Sequence, residues 1–260
     1  MGIDRDEVVR RTAGHVRRVL EGEPSGHDWW HVYRVWKGAL AIAEGEPADR
    51  FVVELAALLH DLSDRKLNGG DVTLGPRVAR EWLVAQGVDE ETVAHVCEII
   101  ADLSFKGAGV PTPMRTREGM VVQDADRLDA IGAVGIARVF AFGGHKGQVL
   151  HDPEHPPVLH ASAESYYATP ATPINHFYEK LLLLRERMNT EAGRRIAEGR
   201  HAFLEQFLAR FLAEWEGRDG IGANFGPDAS CRGGSGRQVG GSTRPDFDDF
   251  AAAGRVAPPP

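Results

Sequence analysis

The sequence predicts an all-α protein. Apolar residues recur at intervals of three and four in one segment after another, no stretch alternates like a half-buried strand, and the breaks between segments carry Gly, Pro and helix-capping residues. The chain is organised around ELAALLHDLSDRK, from Glu54 to Lys66, where a very apolar helix ends in the adjacent pair His60 and Asp61. Adjacent helical residues point about 100° apart, so the pair cannot face one flat partner, but both members can reach a small ion in a concave pocket.

In chain order, residues 4–20 fit a helix whose face is built from Val8, Val9, Val16, Val19 and Leu20, with His15 as a packing or surface residue. EGEPSG breaks it. A second helix begins near Asp28 and carries Trp29, Val32, Val35, Trp36, Leu40 and Ile42, until Gly45 and Pro47 stop it. Asp49 caps the central helix FVVELAALLHDL, whose terminal His and Asp require polar partners or an ion. SDRKLNGGDVTLG reads as a loop, followed by helices over Pro76 to Gln86 and Glu90 to Leu103, the second capped by Asp89. After the SFKGAGVPTP loop, helix resumes at Thr116 and runs through VVQDADRLDAIGAVGIARVFAF with a break near Gly132. Residues 143–173 are expected to form a long surface loop or lid. Thr172-Pro173 starts a helix expected to include all of HFYEKLLLLRERM. A last helix, Thr190 to Trp215, places Ile196, Phe203, Phe207, Leu208 and Phe211 on its apolar side. Beyond Gly217 the composition shifts to Gly, Ser, Pro and charge. This divides the chain into a helical domain over 1–217 and an expected disordered tail over 218–260, whose DFDDF run reads as solvated.

The chain has 260 residues, 42% hydrophobic and 26% charged, enough for a sizeable core. A net charge of -8 argues against a polymeric nucleic acid partner, which would need a basic face. No apolar run approaches the roughly 20 residues that cross a bilayer, and the N-terminus does not resemble a secretory signal, so a cytoplasmic protein without a membrane partner is expected. Cys97 and Cys231 are isolated, which supports neither a disulfide framework nor a thiolate zinc site.

His31, His60, Asp61 and Asp126 stand out once the helices are laid down. Two imidazoles and two carboxylates suit a six-coordinate divalent ion such as Mn²⁺, Fe²⁺ or Mg²⁺, with positions left for water. The competing reading is a buried His-Asp pair that merely satisfies a hydrogen bond. Spacing alone leaves both open. Arg34, three residues beyond His31, shares its helix face and is a candidate cation for substrate phosphates.

The ordered set His31, His60-Asp61 and Asp126 within DADRLDA resembles the H…HD…D signature of HD-domain metal-dependent phosphohydrolases. The blocks GHDWWHVYRV, ALLHDLSDRK, EIIADLSFKG and HFYEKLLLLRERMNTEAGRRIAEGRH resemble the small stand-alone bacterial branch, and the likeness spans about residues 20–216. It implies an HD-domain helical bundle with the ion between core helices, held by His31, His60, Asp61 and Asp126. It implies hydrolysis of a phosphate ester or phosphoanhydride. Asp124 is the alternative ligand if the register shifts, and Asp129 is expected to back a ligand or lie at the surface. Asp61 and Asp64 are the catalytic candidates. Asp64 stands where related guanosine-polyphosphate hydrolases carry an acidic residue, and a loop or cap carboxylate is the competing reading for it. Lys66 and Lys106 lie in matched blocks and join Arg34 as phosphate contacts. His27 is a candidate substrate contact, and Lys146 in FGGHKG a candidate anion contact.

The expected cofactor is Mn²⁺, with Mg²⁺, Fe²⁺ or Co²⁺ as alternatives, and the expected substrate is a small phosphorylated metabolite, foremost a nucleotide. Cleavage of a nucleoside triphosphate to monophosphate and pyrophosphate is the leading reading. A guanosine polyphosphate hydrolase, a non-catalytic metal-dependent nucleotide sensor and a helical interaction module are the alternatives. The sequence leaves the oligomeric state open.

Overall fold

The computed structural model describes residues 3–22, 26–62, 73–169 and 171–218. Among them the architecture is all-α, as expected, with ten α-helices and two 3₁₀ turns. The sequence marks where helices start. α1 (Arg5–Val19) begins where the Asp4 side chain accepts from the Glu7 N–H, and α2 (Trp29–Ala43) where Asp28 accepts from His31. α3 (Arg50–Leu59) begins where Asp49 accepts from Phe51. Each such cap satisfies an N–H that has no partner within its own helix, and removing one costs about 1 kcal/mol.

α3 is the post around which the rest is assembled. Every residue from Phe51 to Leu59 is buried. Its neighbours are α1, α2, α5 (Glu90–Asp102) and α6 (Arg117–Asp129). Leu55, Leu58 and Leu59 are fully enclosed, each contributing roughly 1.5–3 kcal/mol of apolar burial. The charge inside this helix is answered locally, since Glu54 accepts from the Trp36 indole at 3.2 Å and from Arg50 at 3.4 Å. α4 (Leu74–Ala85) packs on α5, where buried Cys97 directs its thiol at the Pro76 carbonyl.

α6 connects this core to a second group of helices. Gly132, at φ 77°, takes the left-handed turn that separates α6 from α7 (Gly132–His145). The expected break therefore falls where the glycine stands. α10 (Glu191–Trp215) packs on both α6 and α7. Its start is fastened by buried Asp124, whose carboxylate accepts from the Asn189 and Thr190 N–H groups, the Thr190 hydroxyl and the Asn189 amide.

Several local expectations are corrected. α4 starts two residues before Pro76, which sits in the first turn, where a missing N–H does no harm. Residues 143–173 are not one loop, because α7 runs through His145 and α8 covers Ala163–Ala168. HFYEKLLLLRERM is not one helix. α9 is Pro173–Glu179, the backbone turns at Lys180 (φ -140°), and 3₁₀ turns follow at Leu181–Leu183 and Arg185–Arg187. On α10, Ile196 and Phe203 are exposed while Ala197, His201, Leu204 and Leu208 are buried, so the inward face is rotated from the predicted one. Phe207 and Phe211 still pack with Phe140. Val19 is exposed at the end of α1.

Candidate metal centre

Three helices bring the candidate ligands around His31, which forms one donor group with His60 and Asp126 and a second with Asp61 and His27. His31 lies in the first turn of α2, His60 caps the C-terminus of α3 with Asp61 next in sequence, and Asp126 lies on α6. His60 keeps helical backbone angles (φ -59°, ψ -30°) at the end of α3, which leaves its side chain on the α3 face that meets α2 and α6. His31 Nε2 stands 3.2 Å from His60 Nε2, 3.4 Å from Asp61 Oδ2 and 3.6 Å from Asp126 Oδ1. His60 Nε2 is 3.8 Å from the same Asp126 oxygen.

The protons of the two imidazoles are placed by their other nitrogens. His60 Nδ1 lies 2.8 Å from the Ala57 carbonyl, which can only accept, so this nitrogen carries a proton and, in the neutral ring, Nε2 presents the lone pair. His31 Nδ1 lies 2.7 Å from Asp129 Oδ2, again an acceptor. Burial, with help from Arg138, pushes the His31 pKa down to about 4, so the ring is neutral at pH 7 and its Nε2 also presents a lone pair. With both rings neutral, two lone pairs meet across 3.2 Å, an arrangement that a proton or a cation between them would relieve.

The carboxylates add negative charge to this arrangement. Burial acts to raise the pKa of Asp61, but His27, His60 and His31 overcome it and hold the group well below the ordinary range. Asp126 is likewise held down by His60, His31 and Lys180 against the effect of burial. His31 Nε2 thus lies within 3.2–3.6 Å of a donor atom of each of the other three. Ligands at about 2.1 Å from an octahedral ion lie about 3 Å apart at right angles, close to the observed separations. The donor set and spacing fit a divalent cation.

Asp129 backs His31. It is buried and accepts from His31, from Nε and Nη2 of Arg34 at 2.7 and 3.0 Å, and from Arg138 Nη1 at 3.0 Å. His31 and Arg34 keep it ionised, far below the usual carboxylate range, although burial opposes them. Arg34, expected at the substrate, has its fork occupied by Asp129 instead. His27 donates from Nδ1 to Asp61 Oδ2 at 2.8 Å when that nitrogen carries the proton, and so backs the second ligand. Asp124 faces the α10 terminus rather than the histidines.

Beside the cluster lies a cavity of about 510 Å³ whose wall includes His27, Arg138, Phe142, Lys146, Tyr166 and Lys180. Lys106 is not among its lining residues. Asp64 and Lys66 lie outside the described residues. The sequence reading missed Arg138 and Lys180. Arg138 had a signal, being the sole Arg, Lys, Asp or Glu in GAVGIARVFAFGGH; Lys180 had only its place at the predicted interior of a helix that in fact turns there.

The HD domain family matches residues 29–131, which contain all four donors. The chain belongs to that family and is a metal-dependent phosphohydrolase of the HD superfamily. Among its relatives is the uncharacterised protein YpgQ of Bacillus subtilis, 45% identical over 206 residues, which span 78% of this chain and 92% of YpgQ. A crystal structure of YpgQ in complex with ADP aligns at 41% identity and a TM-score of 0.61, over 80% of this chain and all of the other. An HD-superfamily hydrolase from Bacillus thuringiensis aligns at 42% identity and a TM-score of 0.61, over 82% and 98%. A Lactobacillus plantarum protein aligns at 34% identity and a TM-score of 0.74, over 84% and 100%.

Proposed function

We propose that this chain hydrolyses a phosphoanhydride bond of a nucleotide, foremost a nucleoside triphosphate to monophosphate and pyrophosphate, with Mn²⁺ held by His31, His60, Asp61 and Asp126. The observation that carries the reading is the gathering of His60, Asp61 and Asp126 around His31 Nε2, at 3.2–3.6 Å, beside a cavity of about 510 Å³, a volume in the range of small-molecule sites. Such an ion supplies an activated water at neutral pH and draws charge from a phosphoryl oxygen. The ADP bound by the YpgQ relative supports a nucleotide as ligand.

The protein's own groups divide the remaining work. Lys146 and Lys180 line the cavity and are the cations assigned to the phosphates. Phe142, Tyr166 and Tyr167 offer aromatic surface for a base. His27, held against Asp61 and lining the same cavity, meets the substrate from the metal side. Asp64 is assigned to orienting the water or protonating the leaving oxygen, and Lys66 and Lys106 remain further phosphate contacts in this reading. Arg34 is assigned to Asp129 rather than to substrate. No described helix is long and apolar enough to cross a membrane.

The test is a screen of nucleoside triphosphates and other phosphorylated metabolites with Mn²⁺, Mg²⁺ and Co²⁺, with products identified. Monophosphate and pyrophosphate are expected, with activity abolished in His60→Ala and Asp61→Ala. Full turnover by both variants would overturn the metal assignment. Specific binding without turnover would leave a sensor, and preference for guanosine polyphosphates an alarmone hydrolase.

A further inference from the structure

One guanidinium reaches the supports of two different candidate ligands. Arg138 comes from the middle of α7, and its side chain is 16% exposed. Its Nη1 donates to Asp129 Oδ2 at 3.0 Å, the same oxygen that faces His31 Nδ1 at 2.7 Å. Its Nε donates to the Gly26 carbonyl at 2.8 Å. Gly26 sits in the left-handed region at φ 85° and directly precedes His27, whose Nδ1 is 2.8 Å from Asp61. The Arg138 stem also packs under Gly26, with Cγ 3.7 Å from where a Cβ would stand.

We infer that Arg138 is a positioning residue for the metal centre, fixing His31 through Asp129 and Asp61 through the Gly26-His27 backbone. The inference rests on the metal assignment above. Asp129 alone does not need Arg138 for charge balance, because Arg34 already occupies both of its oxygens from α2. What Arg138 adds is the tie between the two supports. His31 and Asp61 belong to different helical segments, and with both supports on one planar group they are held at a common separation. A lysine could place a charge here but could not donate in two fixed directions. Groups that orient metal ligands commonly change metal affinity about 10–100-fold when removed. Arg138 stands one step further out, so an effect near the lower end is expected.

The experiment is Mn²⁺ titration of the full chain, read by loss of the free-ion electron paramagnetic resonance signal, without substrate. Arg138→Met should weaken Mn²⁺ binding about 10-fold. Arg200→Met is the control for loss of charge near Asp129, since Arg200 is also partly buried, acts on Asp129 through its charge and donates to the Leu128 carbonyl at the α6 end, without a hydrogen bond to Asp129 or Gly26. It should bind Mn²⁺ as the wild type does. If Arg138→Met does not fold, Arg138→Lys serves in its place and should still bind more weakly, because one ammonium cannot reproduce both fixed contacts. Wild-type affinity in the folded Arg138 variant, or equal weakening in Arg200→Met, would overturn the inference while leaving the metal assignment standing. Absence of Mn²⁺ binding by the wild-type protein would overturn the assignment and the inference together.

Discussion

Asp124→Asn separates a structural carboxylate from a metal ligand on the same helix. In the wild type one Asp124 oxygen accepts from Thr190 N–H at 2.7 Å and Thr190 Oγ1 at 2.8 Å, and the other from Asn189 N–H at 2.8 Å and Asn189 Nδ2 at 2.9 Å. An amide has one oxygen and one NH₂ group, so either orientation points a donor at donors. The Thr190 hydroxyl can accept from the amide with its second lone pair while keeping the Gly193 N–H, but the backbone N–H groups of Asn189 and Thr190 cannot reverse. One buried backbone N–H loses its acceptor, at about 1–3 kcal/mol, and the surviving bonds lose their charge assistance. The total is about 3 kcal/mol, or about 6–12 °C in melting temperature for a domain of this size. Calorimetry and urea unfolding followed by helical circular dichroism measure it, and Mn²⁺ titration of the folded variant should give the wild-type affinity. A melting point unchanged by the substitution would refute the account of the α10 terminus. Stability unchanged but Mn²⁺ binding lost would make Asp124 the ligand.

Two further predictions concern acid and the C-terminal segment. His31 is neutral and buried, its pKa moved from 6.5 to about 4, so its contribution is intact above the unfolded value and is lost as pH falls from about 6.5 toward 4. The metal-free protein should lose about 3 kcal/mol across that window, more steeply once Asp61 and Asp129 begin to protonate at lower pH, and denaturant melts in chelator that stay level to pH 4.5 would contradict this. Deleting residues 218–260 should leave folding and activity unchanged, and loss of either by circular dichroism or turnover would show that the compositional shift after Gly217 was misread.

What could be read in the chain beforehand was whatever depends on neighbours in sequence. Asp49, Asp89 and Thr172 were legible as caps because a cap bonds only two or three residues ahead, and each does so. Gly132 was legible as a break for the same reason. The interruption at Lys180 was not, since HFYEKLLLL has good local helix character; what the packed structure encloses is Phe177, Leu181 and Leu184, while Leu182 and Leu183 are less buried. The Arg34 to Asp129 pairing was invisible because its partners are 95 residues apart, and a cation beside a predicted ligand reads equally well as a phosphate contact. The role of Arg138 depends on a carbonyl 112 residues away, and backbone acceptors leave no mark on a residue pattern. For the four donors, the ordered motif named them, while the placement of their protons required the Ala57 carbonyl and Asp129 in three dimensions.

The three aspartates of α6 make its length a stricter requirement than most of its letters. Asp124 is turned toward α10, Asp126 toward the histidines and Asp129 toward the arginines, at angular steps of about 200° and 300° around one axis. An added or lost residue between Val122 and Asp124 would rotate all three by about 100° against buried Val121 and Val122. The start of the last helix, an apex of the donor cluster and the anchor of His31 would then fail in a single event. A library of one-residue insertions here should therefore contain almost no survivors.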